Sequence, residues 1–345
     1  MNILVFALLG DKKLLSKLGP IADNKDVDKI YLVRKLPLQG RKIVCYSPPM
    51  FLTKSIVFSE LYRLLVGLYI SMIYKPKYII GIYYFFHSLL AGIISFLFKK
   101  KLILLVVENP RLYERNKNYF KLLKKCYKVG VRGSNSQRYL ESKNIEKNKI
   151  FIPQNVFEIT AKNKSQNKSY DLLFIGSLNS DKKPDVFVEV VAAVKKTIPK
   201  ICCVMLGDGK LKRQIFKQIK SLSLEKNIQV LGYRKNVDEY ISKSKLLVMT
   251  SQTEGMPMVI LEAMNFGVPC VVPNVGDITD VAINDYNSMV INGLNIEHFS
   301  DAIVNCINDQ ILYKKLSNNS LKTIADNKEK YSIKSIAKEW KKVIK

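Results

Sequence analysis

The alternation of short β-rich runs with segments of helical apolar spacing most constrains how this sequence can fold. Strands separated by helices pair in parallel, because each crossover helix returns the chain to the same end of the sheet. We therefore predict an α/β protein with two doubly wound series of strands. The first series is Ile3–Leu9, Lys29–Val33, Lys42–Tyr46, Tyr78–Tyr83, Leu102–Val107, Lys128–Arg132 and Ile150–Ile152; the second is Tyr170–Gly176, Ile201–Leu206, Ile228–Leu231, Lys245–Met249, Pro269–Pro273 and Ser288–Ile291.

A polar segment, Ile159–Ser169, separates the two series of strands and has no apolar periodicity, which is typical of a domain linker. A length of 345 residues also suits two domains better than one. We predict an N-terminal domain over residues 1–158, a linker over 159–169 and a C-terminal domain over 170–330. The last segment, 331–345, is predicted to be an amphipathic helix that crosses back to the first domain.

Residues 78–98 form an uncharged apolar run that is followed by three lysines, and its length fits a membrane-spanning helix. Its first half is β-branched and aromatic, whereas its second half is small and apolar. This contrast favours a buried strand, a turn near His87 and a packed helix. A surface helix that touches lipid is a further alternative.

The formal net charge is +27, from 56 Lys and Arg against 29 Asp and Glu. Such an excess indicates an anionic partner: a nucleic acid, a phosphate-bearing ligand or an acidic membrane surface. General drift in residue usage is the simpler alternative. The aromatic segment Leu61–Tyr84 and a lysine cluster (Lys117, Lys121, Lys124, Lys125 and Lys128) favour a first domain that rests on an anionic membrane and takes a lipid-linked acceptor.

The six cysteines form no CxxC pair, and with two histidines no zinc-binding spacing emerges, so we predict no metal site. Free thiols fit a reduced, cytoplasmic compartment. The N-terminal apolar run is too short for a secretory signal and is predicted to be a strand. Together with the basic charge, this predicts a cytoplasmic protein that is peripheral on the inner face of the plasma membrane.

The strongest cluster of functional residues lies in TEGMPMVILEAMNFGVPC, residues 253–270. Pro257 is acceptable only near a helix start, so we expect a helix from about Pro257 to Asn265 that stops at Gly267. The free amides and the dipole of its first turn attract a diphosphate. Glu254 and Glu262 lie on either side of that turn, where carboxylates can accept hydrogen bonds from sugar and ribose hydroxyls. For isolated glutamates, a helix-terminal charge and a solvated face are the simpler interpretation.

The surrounding strings, FIGSLNSDKKPDVFVEVV, VMLGDGKLKRQIFKQIK and NVGDITDVAINDYNSMVI among them, resemble the retaining glycosyltransferases of family 4 in order and spacing. That family has the GT-B fold, in which two Rossmann-like domains face each other across a cleft, and carries a Glu-x7-Glu motif. The resemblance covers Tyr170–Ile303 well. Over the first domain it is faint.

The resemblance implies a role for each matching position. Glu254 would face the donor sugar and Glu262 the ribose. Lys182 would neutralise the donor diphosphate. The remaining positions implied in donor binding are Gly176, Tyr233, Arg234, Gly255, Met256, Pro257 and Met258.

One position departs from the family pattern. The family usually has a basic residue after the strand-ending glycine, and this chain has Ser177. Lys183, or Arg111, Arg115 or Arg132 of the first domain, are candidates to replace it. His87 matches a family histidine on the acceptor side; a structural core histidine is the alternative.

The resemblance implies transfer of a sugar from a nucleotide diphosphate sugar, UDP more than GDP, to a glycan or polyprenyl-linked acceptor in cell-surface polysaccharide synthesis. Attack would come from the face that the diphosphate leaves, without metal or cofactor. A nucleotide-sugar 2-epimerase of the same fold is an alternative, but it needs further acid and base residues. A basic nucleic-acid-binding protein is another, although no recognition motif supports it.

Overall fold

The computed structural model describes residues 1–82, 85–157, 159 and 167–345. Most of the predicted linker, Ile159–Ser169, and the last residue of the predicted strand Tyr78–Tyr83 lie outside the described residues. The chain divides into two compact units. The first unit is Met1–Phe157 with Glu329–Lys345, and the second unit is Glu158–Lys328.

Strands and helices alternate along most of the described chain. The strands are β1 (Ile3–Ala7), β2 (Ile30–Val33), β3 (Ile43–Tyr46), β4 (Tyr78–Ile82), β5 (Lys101–Leu105), β6 (Lys128–Gly130), β7 (Ile150–Phe151), β8 (Tyr170–Ile175), β9 (Cys203–Leu206), β10 (Ile228–Gly232), β11 (Ser244–Val248), β12 (Cys270–Pro273) and β13 (Ser288–Ile291). The helices are α1 (Asp11–Ala22), α2 (Ile56–Ile73), α3 (Phe85–Leu97), α4 (Lys117–Lys125), α5 (Ser134–Ser142), α6 (Pro184–Thr197), α7 (Lys212–Ser221), α8 (Val237–Ser242), α9 (Met258–Asn265), α10 (Ile296–Asn308), α11 (Gln310–Asp326) and α12 (Ile333–Val343).

The first unit has a parallel sheet in the order β3-β2-β1-β4-β5-β6-β7. Its central strand β1 is apolar throughout, because alternate residues meet helices on opposite faces. Leu4 and Phe6 belong to a core with Ile70 of α2 and Ile94 of α3. The three alternate residues of β1, whose side chains point to the other face of the sheet, belong to a second core with α1 and α12. Burial of each large apolar side chain contributes about 1.5–3 kcal/mol.

The C-terminal helix α12 belongs to the first unit and packs against α1. Its Trp340 is buried, with its ring edge-to-face on Phe151 at a centroid distance of 5.3 Å. Lysines occupy the opposite face, at Lys338, Lys341 and Lys342. The amphipathic pattern of this segment therefore has a direct structural cause.

The second unit has a parallel sheet in the order β10-β9-β8-β11-β12-β13. It shares with the first sheet the doubly wound arrangement, in which the strand order reverses beside the first strand of the series. The predicted fold class of two doubly wound parallel sheets is confirmed. In the second unit α6 and α10 pack over one face of the sheet around Phe187 and Phe299.

Residues 78–98 do not form one membrane-spanning helix. They contain the buried strand β4 and the helix α3, and His87 lies inside α3 rather than in a turn. Within the described part of the chain, one helix is long and apolar enough to cross a bilayer, and that helix is α2. Length and composition alone support this, and core helices meet the same criterion.

Candidate functional site

The site residues of the second unit gather where its strand order reverses, between β8 and β11. Loops that leave the carboxyl ends of two such strands diverge to opposite faces of the sheet and leave a crevice that binds ligands. The loop after β8 carries Lys182 and Lys183, and the loop after β11 carries Glu254 and Gly255. Residues that are distant in the sequence are thereby brought to one edge of one sheet.

Lys182 and Glu254 form an ion pair, in which Nζ of the lysine donates to Oε1 of the carboxylate. The Lys182 side chain is 28% exposed and that of Glu254 is 9% exposed. A lysine that neutralises the one carboxylate beside it still has two N–H donors for an incoming anion. The pair therefore presents a cation and a carboxylate acceptor at the same point.

Backbone contacts hold these two loops together. The Thr250 hydroxyl lies 2.8 Å from the carbonyl oxygen of Lys183 and 3.2 Å from that of Lys182. The N–H of Gln252 donates to the carbonyl of Asp181 at 2.8 Å. Since Thr250 is fully buried, the ion pair sits on a fixed backbone.

The helix α9 begins directly after Pro257, which adopts φ −75° and ψ 123° as the residue that precedes the helix. Predicted and observed starts differ by one residue. First-turn amides lack intrahelical acceptors, and the helix dipole adds positive potential there. Met256 is buried beneath this turn, and Glu262 is half-buried one turn further along the helix.

The loop after β12 packs against the backbone that carries Glu254, through Gly276 and Asp277. Gly276 has φ +58°, and a Cβ there would lie 1.9 Å from the carbonyl oxygen of Glu254. The N–H of the buried Asp277 donates to the carbonyl of Gly255 at 3.0 Å. Neither residue was given a role from the sequence; a glycine just after a strand at the carboxyl edge was the available signal.

Gly176 and Ser177 follow β8 at the same edge. The N–H of Gly176 donates to the carbonyl of Leu206 at 3.0 Å, and Gly207 is so close that a Cβ there would overlap the Gly176 oxygen. Ser177 is exposed. Lys183 is half-buried and precedes α6 in a left-handed conformation, with φ 46°.

Tyr233 and Arg234 lie just after β10, further along the same edge. Both are exposed, and Tyr233 has 71% of its surface accessible. The side chain of Arg234 contacts the carbonyl of Tyr233, at 3.4 Å. The structure leaves the aromatic ring open for stacking and does not bring it into contact with the ion pair.

His87 belongs to the first unit, just beyond β4 at the reversal point of that sheet. It is 2% exposed, and its Nε2 lies 2.9 Å from Nη1 of Arg63. Because a guanidinium only donates, Nε2 accepts and the proton is assigned to Nδ1. Arg63 is fixed by Glu60, at 2.5 Å, and by Ser59, at 3.2 Å. Nδ1 has no hydrogen-bond partner among the described residues.

Burial and the neighbouring Arg63 lower the pKa of His87 to about 4. An unfolded histidine titrates near 6.5, so the unfolded chain binds the proton more readily than the folded chain does. His87 therefore contributes its full stabilisation only above that pH.

We expect the free energy of unfolding to fall between pH 6.5 and about 4, by roughly 2–4 kcal/mol from this residue. His87→Asn should flatten that part of a urea-unfolding pH profile, whereas His298→Asn, at an exposed position, should not. Equal pH profiles for the unchanged protein and the two variants would contradict the lowered pKa of His87.

The described residues contain no group of three His, Cys, Asp or Glu that could hold a metal ion. The six cysteines are free, and four of them are buried.

Residues 155–323 match the family described as glycosyl transferases group 1. The whole chain superposes on the Anabaena protein HepE in complex with UDP-glucose with a TM-score of 0.80, covering 100% of this chain and 99% of that one at 15% identity. The fold is GT-B. The GT-B prediction is therefore confirmed, and nearly all of the residues that match the family model lie in the second unit.

Curated relatives support the prediction of a glycosyltransferase. One relative is an Escherichia coli UDP-Gal:alpha-D-GlcNAc-diphosphoundecaprenol alpha-1,3-galactosyltransferase, which is 29% identical over 147 residues. These residues are 42% of this chain and 38% of the Escherichia coli protein. A Campylobacter jejuni alpha-1,4-N-acetyl-D-galactosaminyltransferase, whose named acceptor is a diNAcBac-PP-undecaprenol saccharide, is 27% identical over 222 residues, 64% of this chain and 60% of its own. The chain thus spans less than two thirds of the length of these relatives.

Proposed function

We propose that this protein is a retaining glycosyltransferase that moves a sugar from a UDP-sugar to a glycan or polyprenyl-linked acceptor in cell-surface polysaccharide synthesis. The observation that carries the proposal is the Lys182–Glu254 pair, held at the strand-order reversal beside the N-terminus of α9. A sugar diphosphate needs a cation, amide donors and hydroxyl acceptors within one short distance. This edge supplies all three.

The donor would lie along the carboxyl edge of the second sheet. Its diphosphate would take hydrogen bonds from Lys182 and the first turn of α9, and Gly255 would let the backbone approach closely. Glu254 would accept from the sugar hydroxyls and Glu262 from the ribose. The exposed ring of Tyr233 suits stacking on the base. Next to Lys182, Lys183 is the basic residue nearest in sequence to Ser177, and it would replace the cation missing there.

In the proposed reaction an acceptor hydroxyl oxygen bonds to the anomeric carbon as the bond from that carbon to the UDP oxygen breaks. The hydroxyl proton passes to the departing phosphate, and the electron pair stays on the diphosphate. Lys182 and the helix amides stabilise that developing charge. Retention is supported by the name of the Escherichia coli relative, which gives UDP-Gal as the donor and an alpha-1,3 linkage as the product, because galactose is itself alpha-linked in UDP-galactose.

His87 is proposed to donate its Nδ1 proton to a substrate oxygen. Arg63 keeps the ring neutral and in the required tautomer, since its guanidinium occupies Nε2. At physiological pH this neutral ring is better suited to donate a hydrogen bond to a hydroxyl or carbonyl oxygen than to transfer a proton. The structural role of a core histidine explains the Arg63 contact but leaves Nδ1 without a partner among the described residues.

The names of the relatives favour transfer over 2-epimerisation, because both describe glycosyl transfer to undecaprenol-linked saccharides. A lipid-linked acceptor fits the basic charge of this chain. A cytoplasmic location, the absence of a metal or cofactor, and the absence of a nucleic-acid partner stay predictions.

The proposal is tested by incubating the protein with a panel of UDP- and GDP-sugars and polyprenyl diphosphate saccharides. We expect one UDP-sugar to give a lengthened lipid-linked product, with an alpha linkage by NMR. A beta linkage would contradict retention. Failure of every donor to give either transfer or slow hydrolysis would contradict the proposed activity.

Glu262→Gln is expected to weaken UDP binding by about ten-fold, near 1.4 kcal/mol, because a neutral amide is a poorer acceptor for the ribose hydroxyls. Equilibrium titration with UDP measures this. Glu225→Gln, at an exposed position of the same unit, is the matched control and should bind as the unchanged protein does. Unchanged affinity of Glu262→Gln would remove this residue from the site.

A further inference from the structure

The first unit exposes an unusual set of large apolar side chains on two neighbouring helices. In α2 and the turn before it, they recur along one side; in α3 they follow the spacing of a single helical stripe. We call this set the outer helical face. Its members are Met50, Phe51, Ile56, Val57, Phe58, Leu61, Leu65, Tyr69, Met72, Ile73, Leu89, Ile93, Phe96 and Leu97.

The opposite side of α2 is locked into the fold. Arg63 and Ile70 are buried there, and Arg63 is bonded to His87 of α3. At Gly67 a Cβ would lie 2.5 Å from Ile94 and 2.6 Å from Phe6, so the helix backbone rests directly on its neighbours. Although α2 is long and apolar enough to span a bilayer, removing it would expose a buried guanidinium and break this core. Its apolar side can only be presented outward.

The surroundings of the outer helical face are basic. Residues 47–105 contain a single acidic residue, Glu60, which is paired with Arg63. The same stretch contains the exposed lysines Lys54, Lys75, Lys77, Lys99 and Lys101. Next to α3 lies α4, as shown by the contact of Gly92 with Leu122. Its exposed positions are all basic or polar: Lys117, Asn118, Lys121, Lys124 and Lys125.

We propose that the outer helical face docks flat onto an anionic lipid bilayer, with α2 and α3 in the plane of the interface and the α4 lysines against the headgroups. Monomeric proteins rarely expose contiguous apolar surface on this scale. Apolar side chains bordered by lysines match the acyl boundary and the negative headgroups of such a bilayer together. A second copy of this chain would instead bring like charges into contact.

This surface includes most of the membrane-contacting region expected from the sequence, since α2 overlaps the segment Leu61–Tyr84 and α4 carries four of the five clustered lysines. The segment 78–98 contributes only the outer side of α3, since β4 is buried, and most of the face belongs to α2. As a route to a lipid-linked acceptor, the surface rests on the proposed function. Binding to lipid can be measured without any sugar donor, so the two proposals can fail separately.

The test is cosedimentation with vesicles of phosphatidylcholine, with and without phosphatidylglycerol. We expect binding to the anionic vesicles, weakened by salt because surface charges are screened over about 10 Å at 0.1 M. The double variant Leu65→Asp, Phe96→Asp should lose about ten-fold or more in affinity. Its matched control, Phe216→Asp, Ile311→Asp, alters exposed residues of the second unit, including Ile311 at 84% exposed against 81% for Phe96.

A second pair of variants separates charge from apolar contact. Lys121→Glu, Lys124→Glu should weaken binding to anionic vesicles several-fold, whereas Lys314→Glu, Lys315→Glu in the second unit should not. The two double variants that replace exposed apolar residues by aspartate, in the first and in the second unit, should both transfer sugar to a water-soluble acceptor at the unchanged rate. Lipid binding that is unaffected by the α2 and α3 changes, or a vesicle-independent dimer that those changes dissociate in sedimentation velocity, would overturn the proposal.

Discussion

Lys182→Ala is expected to reduce kcat/KM for sugar transfer by about 100- to 1000-fold. The reason is loss of one charged donor to the departing diphosphate, which is worth about 2.7–4 kcal/mol by analogy with oxyanion sites. The change also leaves the largely buried Glu254 carboxylate without its lysine partner. Steady-state kinetics with a saturating acceptor measures the effect, and thermal unfolding checks that the variant is folded.

Lys245→Ala is the matched control for this prediction. Lys245 is also half-buried and ion-paired, with Asp171 at 2.8 Å, but it lies near the amino ends of β11 and β8, at the opposite edge of the sheet. It should retain full transfer activity. Glu254→Gln should lose activity to a similar extent as Lys182→Ala. Full activity of either site variant would show that the ion pair is only structural.

Gly276→Ala is expected to abolish donor binding and to lower the free energy of unfolding by several kcal/mol. Alanine at φ +58° costs about 1 kcal/mol by itself. The overlap of the new Cβ with the Glu254 carbonyl oxygen must also be relieved by moving the loop that holds Glu254. UDP titration and urea unfolding measure the two effects.

Gly293→Ala isolates the backbone contribution to this effect. Gly293 also has a left-handed conformation, with φ +76°, but a Cβ there meets nothing within 4 Å. We expect it to cost about 1 kcal/mol and to leave UDP affinity unchanged. If Gly276→Ala were no worse than Gly293→Ala in both measurements, the support of Glu254 by this loop would be refuted.

The fold could be predicted because its signals are local. Each apolar run that was predicted as a strand contains a strand, and Pro257 fixed the start of α9 to within one residue. The same local rules brought Lys182 and Glu254 to one edge, since residues after parallel strands share the carboxyl side of a sheet. The sheet order then placed these residues, 72 positions apart, in contact.

Other features depend on contacts that no local pattern encodes. The partner of His87 is Arg63, 24 residues earlier on another helix, and the buried pair is invisible in the spacing of either residue. The role of Gly276 depends on the path of the β11 loop above it. Likewise the sequence indicated membrane contact for the aromatic segment Leu61–Tyr84, and only the packing of Gly67 and Ile70 reveals which side of α2 faces outward.

Calorimetric titration of UDP tests the central claim, a UDP-sugar site on the second unit, most directly. We predict one UDP bound per chain, tighter than GDP, with affinity reduced about ten-fold or more by Lys182→Ala and unchanged by Lys245→Ala. Absence of UDP binding, or equal affinities in the unchanged protein and Lys182→Ala, would contradict the account.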